Sequence, residues 1–325
     1  MELPVRYSDV LDALPRVHAL LPQTPLYRWP GLGSLLGFPF YLKHENHQPT
    51  GAFKIRGGVN LVGTLGARER EAGILAVSTG NHGQSLAYAA GRAGVACTIV
   101  VPRGNNPDKN SAIRALGAEL IEAGDDFDEA RECVEEIVRQ RGGRYVHSAN
   151  EPLLVAGVGT MAWEIFQTLP APDVILVPIG LGSGVCGTCI VAKHLRPQTQ
   201  IIGVQAAGAD AVAASWQAKK IVTRPRVDTC AEGIATRVPA EMTLEIMWKL
   251  MDDVILVDDQ EMRHAVYEIL QRTHNLPEAA GAAALAAAYQ QRTRFQNQTV
   301  VGILSGGNLD MPTLHAILHE RQGSR

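Results

Sequence analysis

Lys54 lies in the run Phe53-Lys54-Ile55-Arg56-Gly57, where apolar residues flank the lysine on both sides. Burial in an apolar setting disfavours the ammonium ion and lowers the pKa of a lysine. A neutral lysine amine is a nucleophile and can form a Schiff base with a carbonyl group. A surface lysine at the start of a helix would fit the same residues, and the motifs described next decide between these interpretations.

A glycine-rich segment, Gly180-Leu181-Gly182-Ser183-Gly184, follows an apolar strand pattern and precedes a helical one. Glycines in this position let backbone N–H groups converge on an anion at a helix N-terminus, and Ser183 adds a hydroxyl donor. The segment does not match Gly-x-x-x-x-Gly-Lys-Ser/Thr, which argues against a P-loop nucleotidase. It indicates an anion site, although a tight strand-to-helix turn would fit the same residues.

A polar segment, Ser78-Thr79-Gly80-Asn81-His82, connects another strand pattern to another helical one. Its hydroxyl and amide groups would stand at the positive end of a helix, where they suit a carboxylate. An ordinary N-cap needs one such residue rather than a polar cluster that includes glycine. We therefore interpret the segment as a binding loop.

Two further features carry polar or nucleophilic groups. The last strand pattern ends at Ser305, whose hydroxyl could point at a ligand, and Gly306, Gly307 and Asn308 follow it. The pair Cys186-x-x-Cys189 has the spacing of half a zinc site, but no second pair lies at ligand spacing. We interpret these two cysteines as small packing residues.

Short apolar runs alternate with amphipathic stretches along most of the chain. The apolar runs contain little polar alternation, as expected of parallel strands that are buried on both faces. Strands and helices in alternation predict an α/β fold with right-handed crossovers. Strands are predicted at 73–77, 97–101, 118–122, 174–178, 200–204, 253–257 and 299–304, and helices at 83–93, 127–140, 161–168 and 259–272.

The strand–helix units fall into two sets, which predicts two domains. Residues 46–149 form the small domain, and residues 1–45 together with 150–325 form the large one. The first forty or so residues contain Thr24-Pro25-Leu26 and then Phe40-Tyr41-Leu42-Lys43, and we expect them to pack as a lead-in strand onto the large domain. Ligands bind at the carboxyl ends of strands in such folds, so we expect the site in the cleft between the two domains.

The composition excludes several classes of protein. The 325 residues carry a formal net charge of −3 without a long basic run, which argues against a nucleic-acid partner. No apolar stretch reaches the length of a membrane span, and the first residues lack the apolar core of a signal peptide. Five scattered cysteines fit reduced thiols better than a disulfide framework. We therefore expect a cytoplasmic enzyme.

Taken together, the four segments resemble the fold-type II enzymes that use pyridoxal 5'-phosphate (PLP), the tryptophan synthase β-like fold. Within that group the chain resembles the serine/threonine dehydratases and serine racemases over nearly its whole length, from Thr24 to Asn308. Lys54-Ile55-Arg56 sides with the dehydratases, because the sulfhydrylase branch usually has an aspartate after the lysine.

The resemblance implies a role for each matching residue. Lys54 would hold PLP and move the Cα proton, and Phe53 would pack near the ring. Asn81 would bond the 3'-oxygen, Ser305 would meet the pyridine nitrogen, and Glu278 would lie near the cofactor. The phosphate would be held by Gly180, Leu181, Gly182, Ser183 and Gly184, the substrate carboxylate by Ser78, Thr79, Asn81 and His82, and the distal end of the substrate by Arg131.

The chain departs from the family pattern at the expected divalent-metal site. The family uses a glutamate and an aspartate after the strand at 200–204, and these positions hold Gln205 and Ala211 here. Without these two carboxylates most of the affinity for a hard cation is lost, and the remaining Asp210 supplies only one. We therefore predict that the site binds neither Mg²⁺ nor Ca²⁺.

The resemblance implies a PLP-dependent dehydratase that removes water and then ammonia from a β-hydroxy amino acid, by default serine or threonine. A serine hydroxyl at the pyridine nitrogen gives a weaker electron sink than an aspartate, which favours β-elimination over transamination. Arg131 would suit 3-hydroxyaspartate, and phenylserine also stays open. An amino-acid racemase would use Thr79 as the acid opposite Lys54, and a β-replacement synthase or a non-catalytic amino-acid binder would share the same fold. A homodimer is expected from the family.

Overall fold

The computed structural model describes residues 3–125 and 127–322, which form ten strands and fourteen α-helices. The strands are β1 (Leu26–Arg28), β2 (Phe40–His44), β3 (Ile74–Val77), β4 (Cys97–Val101), β5 (Glu119–Glu122), β6 (Arg144–Tyr145), β7 (Val174–Pro178), β8 (Gln200–Ala206), β9 (Asp253–Val257) and β10 (Val300–Leu304). The helices are α1 (Tyr7–His18), α2 (Pro30–Leu36), α3 (Lys54–Gly63), α4 (Ala67–Ala72), α5 (Asn81–Ala93), α6 (Pro107–Ala115), α7 (Phe127–Arg141), α8 (Pro152–Thr168), α9 (Ser183–Leu195), α10 (Ala211–Ala218), α11 (Glu241–Leu250), α12 (Asp259–Thr273), α13 (Ala279–Gln290) and α14 (Met311–Gln322).

The strands form two separate sheets, which helices cover. The six-stranded sheet has the order β1-β2-β10-β7-β8-β9 and is parallel except for the antiparallel pair β1 and β2. The four-stranded sheet has the order β5-β4-β3-β6 and is entirely parallel. The predicted α/β fold with parallel sheets flanked by helices is therefore confirmed. The division into domains at residues 45/46 and 149/150 stays a prediction.

The predicted strands agree with the observed ones to within two residues, and β2 is the expected lead-in strand beside β10. Strand β6 was not predicted, because two residues are too short to produce a pattern. Helix α8 begins at Pro152 rather than at residue 161. Gly157 and Gly159 weaken the helical pattern in its first half, and both are needed for close packing.

Helix α3, which begins at Lys54, is held between α8 and α5 by contacts at glycine. A Cβ on Gly57 would lie 2.9 Å from the Leu154 carbonyl oxygen, and one on Gly157 would lie 2.5 Å from the Arg56 carbonyl oxygen. At the first turn of α3, the Ser85 hydroxyl donates to the Lys54 carbonyl oxygen at 2.6 Å. The backbones approach so closely that the start of α3 has little freedom to move.

A buried cluster of ion pairs fixes the same helix to the six-stranded sheet. The Arg56 guanidinium donates to Glu45 at 2.7 Å through Nε and to Glu164 at 2.7 Å through Nη1. Lys43 Nζ lies 2.5 Å from Glu164 Oε2, and no side chain of the four is more than 2% exposed. Charges in such a place must be paired. The cluster joins α3 to β2, to the turn that follows β2, and to α8.

None of the helices in the described ranges is long and apolar enough to cross a lipid bilayer.

Candidate active site

Lys54 is partly buried at the point where α3 begins. Its Nζ donates to the Ser183 hydroxyl at 2.9 Å and lies 5.1 Å from the centre of the Phe53 ring. Burial lowers the pKa of Lys54 from 10.5 to about 8. The amine therefore carries a substantial neutral fraction in mildly alkaline solution and is available as a nucleophile or base.

The glycine-rich loop after β7 is shaped by close contacts around it. Gly182 has a φ of 105°, a left-handed conformation that favours glycine, and it forms the N-cap of α9. A Cβ on Gly184 would lie 3.3 Å from the Phe53 ring, and one on Gly180 would lie 2.6 Å from the Gly233 carbonyl oxygen. The loop presents backbone N–H groups at the start of a long helix, where a phosphate binds favourably.

Two polar groups of the loop after β3 form hydrogen bonds that hold the loop in its conformation. The Ser78 hydroxyl accepts from the Gly83 amide at 2.8 Å and from the Gly80 amide at 3.3 Å, so it closes the turn that leads into α5. The Thr79 carbonyl oxygen accepts from Asn105 Nδ2 at 3.4 Å. The helix-cap interpretation therefore accounts for the Ser78 hydroxyl, and a substrate contact by this hydroxyl stays a prediction.

His82 is buried, and one of its ring nitrogens makes no hydrogen bond to the described residues. Burial lowers its pKa from 6.5 to about 3, with the Lys54 ammonium as the next cause, so the ring is neutral. Within the described chain its Nε2 has no hydrogen-bond partner. A buried polar atom without a partner is costly, which marks this position as one where a polar ligand atom would be accepted.

Asn81 connects the two sheets through its amide group. Its Nδ2 donates to Glu278 Oε1 at 2.8 Å, and its Oδ1 accepts from Asn308 Nδ2 at 2.7 Å. Asn308 donates in addition to the Thr50 carbonyl oxygen at 2.9 Å. Asn308 was not predicted as a site residue, although it stands at the end of the Ser305-Gly306-Gly307 segment.

Ser305 lies immediately after β10, with its side chain buried. Its hydroxyl is 3.5 Å from the Ala280 carbonyl oxygen, which is a long contact. A hydroxyl held this weakly can turn toward a ring nitrogen that enters the site.

Arg131 lies on α7, and its side chain is 44% exposed. Its Nε is 3.8 Å from Glu135 Oε1, one turn further along the helix. Its charge also acts on Tyr145 and His147, where it opposes the rise in pKa that burial causes in the phenol and adds to the fall in pKa that burial causes in the imidazole. Its role at the distal end of a substrate stays a prediction.

The side chains at the positions of the family's metal site form other hydrogen bonds, and the absence of a divalent cation there stays a prediction. Gln205 is buried, and its Oε1 accepts from the Ala213 amide at 2.8 Å. The carboxylate of Asp210 accepts two hydrogen bonds from Arg224, at 2.6 and 2.7 Å. The described residues contain no cluster of three or more His, Cys, Asp or Glu side chains placed to hold a metal ion. Cys186 and Cys189 are buried on α9, where burial raises the pKa of both thiols.

The fold and the site define a class of enzyme in which a partly buried lysine lies beside a glycine-rich anion loop, in a protein with two sheets that are parallel or mainly parallel. The chain belongs to the pyridoxal-phosphate dependent enzyme family, whose model matches residues 18–306. PLP is therefore its cofactor. The residues present fit it, since an available amine, an anion-binding helix start and a weakly held Ser305 hydroxyl surround the same space.

Comparison with known proteins places the chain near the threonine ammonia-lyases. It is 37% identical over 312 residues to the L-threonine ammonia-lyase of Geobacter sulfurreducens, covering 96% of this chain and 78% of the relative. The solved structure of the processed form of threonine deaminase isoform 2 from Solanum lycopersicum is 31% identical, with a TM-score of 0.92, and covers 98% of this chain and 96% of that one. Maize serine racemase is 28% identical, with a TM-score of 0.92, and covers 98% of both chains.

Glu278 gives a testable prediction of pH dependence. Burial raises its pKa from 4.5 to about 7, against the opposing effect of Lys109. Because the folded state favours the protonated acid, this stabilising contribution is complete below pH 4.5 and is lost as the pH rises through 7. We therefore compare cofactor-free wild type with Glu278→Gln. As the pH rises from 4.5 to 7, the free energy of unfolding of wild type should fall by about 3 kcal/mol relative to that of the variant.

Urea unfolding at a series of pH values measures this difference. Glu245→Gln, at an exposed ion pair on α11, serves as the control and should follow wild type. If Glu278→Gln and wild type have parallel stability profiles, the Glu278 carboxyl does not titrate as stated.

Proposed function

We propose that the protein is a PLP-dependent dehydratase that converts a β-hydroxy amino acid of the serine or threonine type to a 2-keto acid and ammonia. The observation that carries the proposal is the Lys54 amine. It is partly buried, its pKa is lowered to about 8, and it donates to the hydroxyl of Ser183, the first residue of α9, at 2.9 Å. The threonine ammonia-lyase and threonine deaminase relatives support the same reaction.

Different residues around the site would bind different parts of the cofactor and the substrate. The backbone of Gly180 to Gly184 would hold the cofactor phosphate, and the Phe53 ring would pack beside the cofactor. Asn81, fixed by Glu278 and Asn308, would donate to the 3'-oxygen, and Ser305 would meet the pyridine nitrogen. The neutral His82 ring and the amides at the start of α5 would receive the substrate carboxylate.

The cofactor, when bound, supplies an electron sink for the bond that breaks at Cα. Lys54 would then remove the Cα proton, because a neutral amine at the site can act as a general base. The Cβ–O bond would break, and the departing hydroxyl would take up one proton, in balance with the one that Lys54 receives from Cα, so that the substrate loses one water. The released enamine would tautomerise to an imine, which water hydrolyses to the keto acid and ammonia. The site must orient the Cα–H bond toward the Lys54 amine for this sequence to proceed.

A racemase is the second candidate, because the likeness to maize serine racemase covers nearly the whole chain. Racemisation needs an acid on the face opposite Lys54, and Thr79 would have to supply it. Among dehydratase substrates, 3-hydroxyaspartate stays a candidate through Arg131, whose guanidinium would pair with a second carboxylate. Phenylserine stays a candidate on the same reaction chemistry.

One assay separates these candidates. The PLP-loaded enzyme is mixed with L-serine, L-threonine, 3-hydroxyaspartate or phenylserine in deuterated water, and keto acid, ammonia and Cα deuterium are measured. A dehydratase releases keto acid and ammonia in equal amounts from at least one of these substrates. Deuterated D-amino acid without keto acid would identify a racemase instead. If neither keto acid nor deuterated amino acid forms, both proposals are contradicted.

We further propose, from the family resemblance, that the enzyme is a homodimer in the cytoplasm that acts on a small molecule rather than on nucleic acid. Light scattering on the purified protein measures its mass against the 35.0 kDa of one chain.

A further inference from the structure

An ion pair near the site links residues that are far apart in the sequence. Lys109, on α6 next to the four-stranded sheet, pairs through its Nζ with the carboxylate of Glu232. The two residues are 123 positions apart, and Glu232 begins a short 3-10 helix in the segment that leads from α10 to α11. The pair therefore joins an element beside one sheet to a segment beside the other.

The Lys109 end of the pair lies on the loop predicted to bind the substrate. Its methylene groups cover Gly80, with Cδ 3.6 Å and Cε 4.0 Å from the position that a Gly80 Cβ would occupy. Its ammonium group also lowers the pKa of Glu278, whose carboxylate accepts from Asn81. Lys109 is thus in contact with one side of the site and close to the other.

The Glu232 end lies on the cofactor side. The next residue, Gly233, is so close to its neighbours that an added Cβ on it would lie 3.0 Å from Ala280 Cβ and 3.7 Å from Glu278 Oε1. The Gly233 carbonyl oxygen in turn packs against Gly180 of the anion loop. Any movement of Glu232 would therefore be transmitted to residues that surround the cofactor.

The pair differs from the ordinary surface ion pairs of the chain. The Lys109 side chain is only 14% exposed, whereas Glu232 is 58% exposed. In the pair Arg103–Asp125, which lies near the same sheet, both partners are at least 65% exposed. Exposed pairs contribute little to stability. A lysine whose side chain is largely buried, and which pairs with a carboxylate on another segment, is better suited to hold the two segments together.

We propose that Lys109 is a positioning residue of the reaction, which holds the Ser78–His82 loop against the cofactor side of the site through its ion pair with Glu232. Substrate binding then depends on the pair, because the loop that receives the substrate carboxylate is held in place by it. This inference rests on the proposed function only in naming that loop as the substrate loop.

The test uses the PLP-loaded full-length enzyme and two measurements. The first is the dissociation constant of L-alanine, read from the change in the visible absorption of the cofactor, since L-alanine has no β-hydroxyl to lose. The second is the separation of KM and kcat for the preferred β-hydroxy amino acid. The variants are Lys109→Met, Lys109→Arg, Glu232→Gln, the exchange Lys109→Glu with Glu232→Lys, and Arg103→Met as the surface-pair control.

We expect Lys109→Met and Glu232→Gln each to raise the L-alanine dissociation constant and KM by about 10- to 100-fold, the range that misplacement of a binding group produces. Their melting temperatures and cofactor absorption should match wild type. Lys109→Arg and the charge exchange should recover most of the loss, and Arg103→Met should not change either constant. High salt should weaken binding in wild type but not in Lys109→Met.

Two results would overturn the proposal. One is a dissociation constant for Lys109→Met and Glu232→Gln within about twofold of wild type. The other is a loss in both variants that the charge exchange does not recover, because Lys109 would then act without Glu232. If wild type releases no keto acid from any β-hydroxy amino acid, the proposed function fails, while the L-alanine measurement still decides on Lys109.

Discussion

Replacement of Lys54 by alanine is expected to abolish keto acid formation and the visible absorption of the lysine-bound cofactor. The amine is both the attachment point and the group placed to move the Cα proton, and it is held by the Ser183 hydroxyl at 2.9 Å. Proton transfer alone contributes about 10²- to 10⁴-fold to a rate, so we expect a loss of at least this size. Absorbance spectra after PLP addition and a coupled keto acid assay measure the two effects.

Lys193→Ala is the matched control, because this lysine lies on the same helix, α9, in its last turn, and pairs with Asp252. It should retain both the absorption and the activity. Lys54→Arg keeps the positive charge but removes the amine, because arginine stays protonated and cannot serve as the base. If Lys54→Ala keeps the absorption band or a tenth of the activity, another amine holds the cofactor and Lys54 is not the attachment point.

The sequence predicted the fold well, because the interior strands of both sheets, β7 and β10 for example, are buried on both faces. Continuous apolar runs such as 174–178 appear in any sequence that forms a parallel sheet, and their helices follow at regular intervals. The errors have local causes. Helix α8 contains Gly157 and Gly159, which look like breaks in the helical pattern but which the structure uses for contact with Arg56 and Val10.

The candidate site was predictable only where one segment contains the information. Lys54 and the Gly180–Gly184 loop are visible as local patterns. The bond between Asn81 and Glu278 joins residues 197 positions apart, and the pair Lys109–Glu232 joins residues 123 apart. No local pattern encodes such contacts, because they arise from the way in which the two sheets face each other. Arg131 illustrates the opposite case, a residue with a suitable charge whose pairing with Glu135 depends on its own helix.

The buried ion cluster around Arg56 should be the most sensitive point for stability. Arg56→Met leaves Glu45 and Glu164 buried with Lys43 as the remaining cation of the cluster. Removal of one partner from a buried ion pair typically costs about 3–5 kcal/mol, so we expect a loss of this size in the free energy of unfolding. Activity should also fall, since Arg56 is two residues from Lys54 and fixes the start of α3. Urea unfolding and the keto acid assay measure both.

Arg114→Met is the control, because its partner Glu122 and Arg114 itself are 42% and 52% exposed. A pair of this kind contributes about 0–1 kcal/mol, so the control should unfold nearly as wild type does. Equal stabilities of Arg56→Met and Arg114→Met would mean that the buried cluster relaxes or admits water without cost.

The same cluster should govern how the protein responds to acid. Burial raises the pKa of Glu164, but Arg56 and Lys43 more than offset this and lower it from 4.5 to about 2. Because the folded state favours the carboxylate, the contribution is complete above pH 4.5 and is lost as the pH falls through 2. The shift corresponds to about 3 kcal/mol. Glu164→Gln should be less stable than wild type at pH 7, and the difference should shrink as the pH falls toward 2. If the difference in free energy of unfolding is constant over this range, other carboxylates cause the acid response, and Glu164 contributes through packing alone.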